Sequence, residues 1–132
     1  MAALMAARAW SQQFVWDVHI LQALDAGLKN EIALALAEGR RPTGMAEDEE
    51  ILYDFVTELL VNKGASDPTY ARTVAKFSEE GVIDIIGIVG YYSLLGMVMN
   101  VARTTLLDAR PMPLAPTPLR LRPLAGTPLR GR

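Results

Sequence analysis

The sequence predicts an all-α protein, a helical bundle followed by a disordered, Pro/Arg-rich C-terminal tail. Three observations carry this. Apolar residues recur at helical spacing through the body of the chain, and glycine and proline separate those stretches. Half of the 132 residues (51%) are hydrophobic, enough for one domain with a single core. Six of the eight prolines lie from Pro111 onward, where a helix cannot run.

Taken in order, Ala2 to about Gln13 is Ala-rich and helix-forming, and the pattern resumes from Trp16 to Ala26. Gly27 stands where a left-handed C-terminal cap belongs. A short helix is expected from about Asn30 to Glu38, ended by Gly39, with a loop at Arg40, Arg41, Pro42, Thr43 and Gly44. Ala46 to Asn62 is the clearest amphipathic helix. Its first turn is acidic (Glu47, Asp48, Glu49, Glu50), and Ile51, Leu52, Phe55, Val56 and Leu59 form its apolar stripe. Ser66, Asp67 and Pro68 open the next helix, which runs to about Phe77.

The last helix, from about Glu79 to Arg103, is apolar nearly all round. Val82 to Ala102 is long enough to span a bilayer. Asp84, Asn100 and three glycines inside that stretch favour a buried helix over a membrane anchor, and the membrane reading is kept as an alternative. Gly87, Gly90 and Gly96 are expected to let neighbouring helices approach closely. Leu94, Leu95, Met97, Val98 and Met99 add more apolar surface than a small monomer readily covers, so a homo-oligomer is expected.

Charge and composition narrow the function. Up to Asp108 there are 15 acidic and 8 basic residues, a net of −7, whereas the tail has five arginines and no acid. Such a body is a poor nucleic-acid binder. No cysteine is present, which excludes disulfides, thiolate metal sites and any thiol peroxidase cycle. With a single histidine and no carboxylate spacing suited to a metal, no metal site is expected. Nothing resembles a signal peptide, so a cytoplasmic location is expected. The tail repeats an eight-residue unit, PLAPTPLR from Pro113 and PLAGTPLR from Pro123, too few copies for a solenoid.

One segment looks chemical. Histidine is the side chain that ordinarily titrates near neutrality, and His19 is the only one in the chain. Helical spacing puts Gln12, Val15, Trp16, Gln22 and Ala23 on its face, and Asp17 and Asp25 elsewhere. From these neighbours alone His19 reads as a partly buried structural histidine.

The stretch WSQQFVWDVH from Trp10 to His19, followed by ALDAGL from Ala23 to Leu28, resembles the signature of the carboxymuconolactone decarboxylase family, a Trp-x-x-His leading into an Ala-Leu-x-Ala-Gly-Leu helix end. Further agreement lies at Ala37–Pro42, at Tyr53–Leu60 with Ser66, Asp67, Tyr70 and Ala71, and from Gly81 through Tyr91 and Tyr92 to Asn100. Together the segments cover about residues 4 to 107.

The resemblance implies a helical fold of the alkyl hydroperoxidase D-like type, assembled as a trimer or hexamer. It implies residues 1–107 as that domain, shortened at its N-terminus, and 108–132 as tail. The family's thiol peroxidases bear a Cys-x-x-Cys before the histidine, and Gln12 and Val15 occupy those positions here. The cysteine-free branch decarboxylates a small carboxylated lactone without cofactor. In that reading His19 is the proton donor and acceptor, and Trp16, Tyr91 and Tyr92 line the substrate pocket. Relatives commonly carry a glutamate where Val15 stands, and a second that would precede Met1. The alternative is therefore an inactive or truncated member serving as an oligomeric binding or assembly module.

Overall fold

Ala2, Ala6 and Ala7 are buried on the first helix together with Leu4 and Met5, and their small side chains let other helices close in around it. This computed structural model describes residues 1–104 and Leu114. Five helices follow one another: α1 (Ala2–Ala9), α2 (Gln13–Asp25), α3 (Asn30–Glu38), α4 (Glu47–Asn62) and α5 (Asp67–Ala102). Helix α1 touches all four others, and α4 and α5 pack on each other beside it. Trp16, Ile20, Ile32, Phe55 and Val56 fill the core between them.

The helix ends follow from local chemistry. Four of them close with paired backbone hydrogen bonds around one left-handed residue, the Schellman arrangement, that of α5 at Arg103 (φ 54°). Gly27 (φ 98°) and Gly39 (φ 73°) serve α2 and α3, as their positions in the sequence suggest. Ser11 (φ 48°) does the same for α1, with Gln12 N–H bonded to Ala7 O at 2.9 Å and Ser11 N–H to Arg8 O at 3.0 Å. The expected helix from Ala2 to Gln13 is thus cut short at Ala9 by a serine in a conformation that costs a non-glycine residue roughly 1–2 kcal/mol. Gln12 offsets part of that cost. Its side-chain oxygen accepts from Phe14 N–H at 2.8 Å and caps α2.

Helix α4 buries the stripe read from its sequence: Ile51, Phe55 and Val56 fully, Leu52 and Leu59 in part. Arg41 ties the preceding loop to it through Asp54 and, at 2.9 Å, Glu50. Helix α5 breaks at Ser78 (φ 66°, ψ 170°), between the two helices expected from the sequence. Residues 67–77 lie along α4, with Lys76 on Glu47 at 2.8 Å and Arg72 on Asp54 at 3.4 Å. Residues 79–102 cross α1, burying Val82, Ile85, Val89 and Gly96.

Of the three glycines expected at close helix contacts, Gly96 alone makes one. A β-carbon there would fall 2.9 Å from Trp10 Cβ, whereas at Gly87 and Gly90 it would meet nothing within 4 Å. Those two belong to an exposed face. Among the described residues, α5 is the one helix long and apolar enough to cross a membrane by length and composition, and 22% of its most apolar window is buried. The tail lies outside the described residues except for Leu114, whose N–H donates to Gln13 Oε1 at 2.8 Å while its side chain packs on the core.

Two measurements check this account. Gly96→Ala is expected to lower stability by about 1–3 kcal/mol in urea denaturation, because the added methyl meets the root of the Trp10 side chain and outweighs the gain in helix propensity. The second concerns acid. Glu58 accepts from Ser66 N–H at 2.6 Å and Thr69 Oγ1 at 2.7 Å, and these bonds hold its carboxyl below the usual glutamate value. A folded pKa below the unfolded one means stability that is fully present above the unfolded value and lost as pH falls through the folded value. Glu58→Gln is expected to flatten the drop in urea midpoint between those two pH values.

Candidate functional site

Helix α2 carries His19 and helix α5 carries Tyr91 and Tyr92, and the packing of both helices around α1 brings these rings together. His19 and Tyr92 meet edge to face, centroids 4.6 Å apart at 76°. Tyr91 and Tyr92 meet the same way at 5.2 Å and 75°. One turn along α2, Gln22 Oε1 lies 3.3 Å from His19 Nδ1. An amide oxygen is an acceptor, so this contact puts the proton of the neutral ring on Nδ1 and leaves the lone pair on Nε2.

His19 and Tyr92 are half-buried and Tyr91 is 57% exposed, so the cluster opens to solvent along one side. Tyr92 also lines an open, mainly apolar cleft of about 490 Å³ with Leu52, Phe77, Ile85 and Ile88. The tyrosine is the link between histidine and cleft.

Trp16 stands apart from this cluster. Its exposure is 0%, and it packs among the core residues. Located at the start of α2, it faces inward with Val15 and Ile20, which leaves no part of its ring open to a ligand from within one protomer. Of the four residues expected at the site, the fold therefore gathers three and sends the fourth to the core. Gln12 and Val15, where thiol peroxidases would have cysteines, have other work: Gln12 caps α2 and Val15 is 3% exposed in the core.

The sequence did not point to the amide bridge beside the site. Gln12 Nε2 donates to Asn100 Oδ1 at 2.9 Å, and Asn100 Nδ2 donates to Trp10 O at 2.7 Å. This pins the end of α5 to the α1–α2 turn and so fixes the height at which Tyr92 meets His19. Residues 88 and 90 apart in sequence carry no local signal of such a contact. Asp17 is the nearest acid to His19 in sequence, and it is buried. Its Oδ1 accepts from Gln13 Nε2 at 2.8 Å, while Oδ2 is a buried atom without a hydrogen-bond partner among the described residues. No carboxylate pairs with His19 among the described residues, and no group of acids and histidine there could hold a metal ion.

A solved structure resembles this fold. It is the crystal structure of a protein of unknown function from Agrobacterium tumefaciens, put forward as the antioxidant defence protein AhpD. The match has a TM-score of 0.68 at 20% identity and covers 82% of this chain and 77% of that one. The chain has the alkyl hydroperoxidase D-like fold. No family model and no curated protein matches the sequence. Within this fold the cysteine-free chain sets a histidine of α2 against a tyrosine of α5.

Trp16→Ala is expected to lower stability by about 3–5 kcal/mol, the cost of emptying a fully buried indole site. The check is urea denaturation, and a loss below about 1 kcal/mol would mean that Trp16 is not a core residue.

Proposed function

We propose that the protein catalyses cofactor-free decarboxylation, or a related proton transfer, on a small carboxylated lactone or carbonyl compound, with His19 as proton donor and acceptor. The observation that carries the reading is the His19–Tyr92 contact at 4.6 Å, which sets an oriented imidazole beside an apolar cleft. In the reaction the bond between the carboxylate and its neighbouring carbon breaks. Its electron pair enters the carbonyl system as an enolate, and carbon dioxide leaves. Nε2 of the resting Nδ1–H ring takes up a proton from water, the imidazolium delivers that proton to carbon, and the ring returns to the Nδ1–H tautomer that Gln22 holds. An apolar cleft disfavours the compact charge of a carboxylate more than the spread charge of an enolate. Tyr91 and Tyr92 are the pocket residues in this reading. The working form is a homo-oligomer.

One observation favours a second reading, an assembly module that has kept the fold without its chemistry. Among the described residues His19 has an amide and an aromatic ring as neighbours and no acid to raise its basicity. An ultraviolet assay of lactone decarboxylation separates the two. The wild type is expected to turn over, and His19→Ala to lose at least about 100-fold in rate with its helical circular dichroism unchanged. Equal rates, or no turnover by the wild type, would leave the assembly module as the better description.

A further inference from the structure

The arm of α5 after Ser78 has two faces, and the fold uses one. Val82, Ile85, Val89 and Gly96 turn inward onto α1. On the opposite side Ile83, Gly87, Gly90, Leu94, Met97 and Val101 recur at intervals of four, three, four, three and four residues. This is the heptad spacing of a helix seam made to pack on another helix. All six are exposed, Ile83 to 66%, Leu94 to 54%, Met97 to 41% and Val101 to 85%. Gly87 and Gly90 are hollows in it, since a β-carbon at either would meet nothing within 4 Å.

We infer that this seam packs antiparallel against the same seam of a second copy of the chain, about a two-fold axis level with residue 92. The residues are spaced for it. Ile83 and Val101 are equally far from residue 92, as are Gly87 and Met97, and Gly90 and Leu94. The axis therefore sets each large side chain of the middle layers over a glycine of the other copy, a knob meeting a hole, and closes the ends with Ile83 on Val101. A parallel pair in register would stack glycine on glycine and leave a void at mid-helix.

Charge agrees. Between residues 82 and 103 the charged side chains are Asp84 and Arg103, at opposite ends of the arm. Antiparallel pairing brings opposite signs within one helical turn of each other, and parallel pairing brings like signs together. A contact in which residue i meets j and j meets i is the self-complementary kind that closes on itself. Tyr91, 57% exposed, flanks the seam close to the axis. The contact stands whether or not the site is catalytic.

The full chain contains no cysteine, which makes cross-linking a clean test. Gly87→Cys/Met97→Cys is expected to form a covalent dimer under mild oxidation, because each new thiol faces its counterpart in the second copy. Within one helix the two positions are about 15 Å apart, too far for an internal bridge. Gly87→Cys alone is expected to stay uncrosslinked, since the axis holds the two copies of that position about 15 Å apart along the helices. In analytical ultracentrifugation the wild type is expected as a dimer or a multiple of one. Gly87→Leu/Gly90→Leu fills both hollows with a better helix former and is expected to halve the mass, its circular dichroism intact. A wild-type monomer, cross-linking by Gly87→Cys alone, or recovery of the wild type from membranes only with detergent would each overturn the inference.

Discussion

Everything in this fold depends on how closely helices can approach α1. A helix carrying large side chains all round keeps its neighbours 8–10 Å away, axis to axis. Buried alanines at positions 2, 6 and 7 leave room for neighbours on a helix of only eight residues, and the other four helices gather around it. The core residues of α2, α3, α4 and α5 then reach one another past the alanines. Short helices of this kind are not stable alone, so α1 is held by its surroundings as much as it organises them.

The aromatic cluster inherits its geometry from that arrangement. Helices α2 and α5 share little direct contact, and each is positioned mainly by α1. The α1–α2 turn at Ser11, the Gln12–Asn100–Trp10 bridge and the Trp10–Gly96 contact lie together at one end of α5. They lock the rotation and height of the helix that brings Tyr92 to His19. A histidine and a tyrosine 73 residues apart in sequence thereby become ring neighbours without a hydrogen bond between them.

Much of this was legible in the residues, and the exceptions share a cause. The bounds of α3, the left-handed caps at Gly27 and Gly39, the apolar stripe of α4 and the break between Phe77 and Glu79 all follow from short-range patterns, and the structure agrees with each. The Ser11 turn was hidden, because serine gives no hint of a left-handed conformation and the bonds that hold it involve the fold. Gly87 and Gly90 look the same as Gly96 in sequence, and only the path of α1 decides which of them touches Trp10. At the site, periodicity placed Gln22 beside His19 correctly. It also put Trp16 on that face, yet a tryptophan one turn away is drawn inward by the area it can bury.

Ser78 has a consequence for how the molecule comes apart. Helix growth and fraying are cooperative because each residue hands its geometry to the next through the hydrogen-bond ladder. A residue at φ 66° and ψ 170° cannot pass that geometry on. The 36 residues of α5 are thus two cooperative lengths in series, and unwinding that begins in one has to start afresh in the other. The arm on α4 can open and reclose while the arm that holds the tyrosines stays wound, so the two belong to separate units of local unfolding.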